Sequence, residues 1–117
     1  MVPGTSLELL REEPAMTPEI EFTLSNGFIT IIDAEDLAKI DMYHWHARYC
    51  RPSRYVARTT SRHVSGVRKV IAIYLHRFLL NVPADMQVDH KNGDTLDNRK
   101  SNLEIVTPDE NLARRRF

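Results

Sequence analysis

The tetrapeptide Thr107-Pro108-Asp109-Glu110 marks the start of a helix and so orders the chain around it. Thr107 supplies a capping hydroxyl, Pro108 sits at the first helical position, and Glu110 completes a capping box. Just ahead of it, Leu103-Glu104-Ile105-Val106 reads as a strand. Further back, Gln87-Val88-Asp89 leads into the turn sequence Lys91-Asn92-Gly93-Asp94 and a long polar loop. The expected order is strand, loop, strand, helix. With the strands antiparallel, the end of the first lies near the first turns of the helix, and Asp89 and His90 face Asn111. A carboxylate and an amide oxygen suit a hard cation such as Mg²⁺. A neutral imidazole beside them can take a proton from water near neutral pH. Adjacent strand residues point to opposite faces. A site shared by Asp89 and His90 therefore requires the pleat to break there, where the turn begins.

Upstream, Ile20, Phe22 and Leu24 alternate with polar residues, as a half-buried strand requires. Asn26-Gly27 follows, a strong hairpin signal because both residues tolerate positive φ, and Phe28 to Ile32 is the return strand. Asp33 to Met42 reads as a short helix with Leu37, Ile40 and Met42 on one face. Trp45 is a core residue, with His44 and His46 pointing to the other side. Tyr55 to Thr60 and Val67 to Ile73 read as two strands around a turn at 61–66. Tyr74 to Leu80 reads as a helix that Asn81-Val82-Pro83 ends. Residues 1–16 read as a flexible arm without chemistry.

The formal net charge of zero conceals an asymmetry. Residues 1–50 hold three basic and nine acidic residues, a net of −6, and residues 51–117 hold thirteen and seven, a net of +6. The basic half suits a polyanion, through phosphate attraction that salt weakens. There is no apolar run of the roughly 18 residues a membrane span needs, and no secretory signal is expected. Cys50 is the only cysteine, which excludes an internal disulfide and a Cys-x-x-Cys zinc site. It reads as a small packed residue in a reducing compartment.

The stretch Leu75-His76-Arg77-Phe78, Val88-Asp89-His90-Lys91-Asn92-Gly93-Asp94, Asp97-Asn98-Arg99, Ser101-Asn102-Leu103, Thr107-Pro108 and Asn111 resembles the HNH endonuclease family, in its phage and homing-type branch. More loosely, Phe22 to Gly27, Ile32 to Asp36 and Tyr43-His44-Trp45 resemble a front module similar to a plant AP2 DNA-binding sheet. The resemblance implies an α+β fold: an antiparallel sheet module over 17–70, then a ββα-metal nuclease unit over 71–117. It implies Asp89 and Asn111 as ligands of one divalent cation, Mg²⁺ or Mn²⁺, and His90 as the base that activates water. Asn102 matches the residue that braces the loop holding His90, and Asn98 competes for that role. The final histidine of the motif's name is Asn111 here, and the family's zinc-binding cysteine pairs are absent, so no structural zinc is expected.

The implied substrate is double-stranded DNA, cut in the cytoplasm of a bacterial or phage-infected cell. Two other readings are a non-catalytic DNA-binding module on the same scaffold and a nuclease acting on RNA or within a larger phage complex. No heptad marks a dimer seam, so a monomer or weak homodimer is expected. Arg114 and Arg115 share the helix face of Asn111 and, with Arg99, are candidate phosphate contacts. Arg54 and Arg58, with Arg62, Arg68 and Lys69 beyond them, could line a β-ribbon that enters a DNA groove. His76 is expected to be packed and hydrogen-bonded rather than a ligand, and His63 solvated in a turn.

Overall fold

The computed structural model describes residues 18–114, a mixed α/β chain rich in sheet and poor in helix. The expected arm and the candidate phosphate contact Arg115 lie outside the described residues.

Strands β1 (Glu19–Thr23) and β2 (Ile29–Asp33) pair antiparallel, Thr23 opposite Ile29. Only Gly27 takes positive φ, at 92°, so the connection is a three-residue loop with glycine in the left-handed position. Asn26 is used differently: its Nδ2 donates to the Ala47 carbonyl and its Oδ1 accepts from the Ala47 N–H, each at 3.0 Å. The amide thus docks the hairpin onto the next sheet. A 3₁₀ turn (Ala34–Asp36) and helix α1 (Leu37–Ile40) follow. Ile40 is fully buried, but Met42 is 68% exposed, because the helix ends before it.

Strands β3 (His46–Cys50), β4 (Ser53–Val64) and β5 (Val67–Tyr74) form a three-stranded antiparallel sheet. The β4–β5 hairpin is longer than expected. Ser61 to Val64 continue the ladder against Val67 to Val70 instead of forming a turn. Only Ser65 and Gly66 turn the chain, both at positive φ. Ser61 to Val70 are all exposed, so this end is a bare ribbon projecting beyond the core. Helix α2 (Leu75–Leu80) ends at Asn81, which is left-handed at φ 56°.

The core joins Leu24, Ile32, Ile40, Trp45, Ala47, Val56 and Leu75. Trp45 is 1% exposed, and its indole N–H donates to the Ile40 carbonyl at 2.9 Å. Burying this ring supplies a large share of the apolar area, and its one donor is satisfied.

Strands β6 (Gln87–His90) and β7 (Leu103–Val106) pair antiparallel, and helix α3 (Pro108–Ala113) follows. The capping box is formed: Thr107 Oγ1 accepts from the Glu110 N–H at 3.0 Å, and Glu110 Oε1 accepts from the Thr107 N–H at 2.8 Å. The loop between the strands is anchored on the front hairpin. The Leu96 carbonyl accepts from Ile31 N–H at 3.0 Å, and the Ile31 carbonyl accepts from Asn98 N–H at 2.7 Å.

Candidate active site

Because Gln87 pairs with Val106, it is the start of β6, not its end, that lies beside the first turn of α3. The helix then runs back along β6. Asn111 Nδ2 donates to Gln87 Oε1 at 2.7 Å, and one turn later Arg114 Nη1 reaches Asp89 Oδ2 at 3.0 Å. The same Nη1 bonds Glu104 Oε1 at 2.9 Å, across the ladder from Asp89. Arg114 is thus tied to two carboxylates.

The pleat does not break at His90. The ladder continues to His90 opposite Leu103, and the two candidate residues depart to different partners. Asp89 joins Arg114, whereas His90 turns inward and is 6% exposed. They meet another way. Among the described residues β6 pairs only with β7, which leaves its other edge open, and four consecutive residues, Val88 to Lys91, line one cleft of about 970 Å³. Asn111, Arg114 and Tyr55 also line it. A cleft along a strand edge collects side chains from both faces.

His90 Nε2 is 3.1 Å from Asn98 Oδ1. Asn98 is 1% exposed, and its Nδ2 donates at 2.9 Å to Oγ1 of Thr30, a fully buried β2 residue. Asn102 forms no hydrogen bond with the His90 ring. Its Oδ1 accepts from Asn92 N–H at 3.0 Å, and its Nδ2 donates to Asn92 Oδ1 and the Asp97 carbonyl, both at 3.0 Å. Asn102 therefore braces the loop, and Asn98 holds the ring.

Burial holds the His90 pKa below the usual histidine value, opposed by its Asn98 bond and the nearby carboxylates of Asp89, Asp94 and Asp97. A neutral ring is the form that accepts a proton. Behind it lies His76, its ring 5.3 Å from His90 and stacked on Tyr74 at 5.7 Å. Burial, then His90 and Arg77, push the His76 pKa down to about 3. Neither Thr30 nor this aromatic wall was singled out from the sequence for the site. A threonine in an alternating strand carries no mark of a partner 68 residues away.

The basic candidates are largely engaged within the chain. Arg99 bonds both carboxylate oxygens of Asp97, at 2.8 and 2.6 Å, and reaches Glu19 at 3.1 Å. That pairing holds Asp97 below the usual carboxylate range. The Arg54 guanidinium stacks on Phe28 at 4.8 Å and Tyr49 at 5.3 Å. Arg58 lies 3.8 Å over Tyr43 and is half-buried. By contrast, Arg62, Arg68 and Lys69 are exposed on the ribbon, and among the described residues none forms an ion pair with them.

A histidine, a carboxylate and an amide thus share one cleft. Residues 81–113 match the family model described as HNH endonuclease, a segment holding Asp89, His90, Asn98, Asn102 and Asn111. The match points to a nuclease acting on nucleic acid, and it does not extend to the front sheets. No curated protein and no solved structure gives a match. Among the described residues, no helix is long and apolar enough to cross a membrane.

Proposed function

We propose that this chain is a metal-dependent DNA endonuclease in which β6, β7 and α3 form a ββα-metal unit. The reading is carried by one observation: Asp89, His90 and Asn111 line a single cleft within the segment that matches the nuclease family.

The donor set fits a hard cation. The Asp89 carboxylate and the Asn111 amide oxygen are oxygen ligands, and Glu104 adds a second carboxylate on the cleft. Among the described residues there is no cluster of three or more His, Cys, Asp or Glu that could hold a metal. Mg²⁺ is commonly held by one or two carboxylates, the rest of its shell being water and substrate phosphate. Such a cation, Mg²⁺ or Mn²⁺, would supply charge stabilisation at the scissile phosphate and the leaving oxygen. Arg114 occupies Asp89 in the structure and must share or release that oxygen. His90 takes the proton from the attacking water, and Asn102 keeps the loop after β6 in shape. Water is the nucleophile, so no covalent intermediate with the protein forms.

The front sheet, over about 17–70, is the DNA-binding module in this reading, and its contact surface is the ribbon. Residues 51–74 contain no Asp or Glu. Arg62 stands directly opposite Lys69. Like charges facing across a ladder destabilise it, and an anionic backbone alongside reverses that cost. A two-stranded ribbon fits the major groove.

The test is nicking of supercoiled plasmid with Mg²⁺, with EDTA, and by His90→Ala. Metal-dependent nicking that the variant loses while it still binds DNA is the expected result. A parent that binds DNA but cuts with no divalent metal would establish the non-catalytic binding module instead.

A further inference from the structure

We propose that Thr30, in the front hairpin, is a positioning residue for His90. Acting through Asn98, it fixes the imidazole in the tautomer that leaves Nδ1 able to accept a proton. The inference rests on the reading of His90 as the base.

The chain of bonds has one direction. Thr30 Oγ1 lies 2.6 Å from the Leu96 carbonyl, which can only accept, so the single hydroxyl proton is committed there. Toward Asn98, Oγ1 can then only accept, and it does so from Nδ2 at 2.9 Å. This fixes the amide orientation, an assignment that otherwise depends on the surrounding network. With Nδ2 facing Thr30, Oδ1 faces His90 Nε2 at 3.1 Å. An amide oxygen accepts, so Nε2 must carry the hydrogen. A neutral imidazole has one N–H, which leaves the lone pair on Nδ1.

The reverse arrangement is costly. Flipping Asn98 would set its oxygen against Thr30 Oγ1, whose proton is already used, leaving two acceptors facing each other in a buried site. Thr30, Asn98 and His90 are 0%, 1% and 6% exposed, so bulk water does not compete for these bonds. The frame is also fixed, since Ile31, next to Thr30, bonds both Leu96 and Asn98 through its backbone. The segment that matches the nuclease family, 81–113, thus contains the histidine but not the residue that sets its tautomer.

The test reads the ring directly. In ¹⁵N-labelled parent protein at mildly alkaline pH, His90 is assigned by comparison with His90→Gln. A pyrrole-type Nε2 and a pyridine-type Nδ1 are expected. The opposite pattern overturns the proposal whether or not the protein cuts DNA. Thr30→Ser keeps the hydroxyl and is expected to keep both the pattern and kcat. Thr30→Val, of similar shape, is expected to mix the tautomers and lower kcat about 10- to 100-fold with little change in KM. A folded Thr30→Val that retains the parent's pattern and kcat sinks the idea. If that variant does not fold, the parent spectrum still decides. A parent that never cleaves removes the base assignment while the ring pattern stays readable, so the two failures are distinguishable.

Discussion

Arg114 reaches from the end of α3 to Asp89, with Nη1 3.0 Å from Oδ2. If Asp89 holds the cation, as proposed, the guanidinium resting on its carboxylate competes for that place. It is held there by geometry, since Glu104 stands opposite Asp89 and takes the same Nη1 at 2.9 Å.

Arg114→Leu is therefore expected to reach half-maximal nicking at a severalfold lower divalent-metal concentration. Both partners face solvent, so the effect is modest and shrinks with salt. A metal titration of plasmid nicking at low and high salt checks it. An unchanged midpoint would mean that the pair does not oppose metal binding.

Acid should unfold this protein through His76. The unfolded residue titrates near 6.5 and the folded one at about 3, chiefly because it is buried. Between these values the unfolded chain binds a proton that the folded chain refuses. Its stability contribution is fully present above about 6.5 and is lost as pH falls toward 3, by on the order of a few kcal/mol. Asp97 adds a loss in the same direction, but only below the usual carboxylate range. Tm measured from neutral pH down to about pH 4 should fall more steeply for the parent than for His76→Phe, which keeps the ring stack without the titration.

Asn102→Ala removes three hydrogen bonds at a 5%-exposed position. Its main cost is the buried Asp97 carbonyl, which loses its Asn102 donor, for a total loss of about 1–3 kcal/mol. Urea melts should show it as a lower midpoint with an unchanged slope.

The ribbon calls for a double variant, Arg62→Ala with Lys69→Ala. Both residues are exposed and face each other with like charge, so Tm should hold or rise slightly. Duplex binding should weaken across sequences, and the slope of log affinity against log salt should flatten by about 2, one phosphate contact per residue. An unchanged slope in a binding assay would move the contact surface elsewhere.

Several elements were legible because their signals are local. The capping box at Thr107 needs only four residues, and Trp45 enters the core on size alone. Asn26-Gly27 announced a hairpin, but only Gly27 needed its backbone freedom, and Asn26 serves a strand 21 residues away. The arginines were the least legible. Sequence shows their charge and spacing, but not that Arg58 lies over Tyr43 or that Arg99 grips Asp97. Those fates depend on which rings and carboxylates the fold brings alongside. The Thr30 link to His90 was invisible for the same reason: it is made of contacts between segments more than 60 residues apart.

Strand β4 touches both ends of the molecule's business. Tyr55 lines the cleft, and Val64, nine residues on, sits at the ribbon tip. At about 3.3 Å per residue that is a span of roughly 30 Å. Laid along a B-form duplex it covers about nine base pairs, close to one helical turn. If the ribbon tip holds phosphates and the cleft cuts, as proposed, this single strand works as a ruler: grip and cut lie a set interval apart, so the scission point falls outside the stretch of duplex that is held.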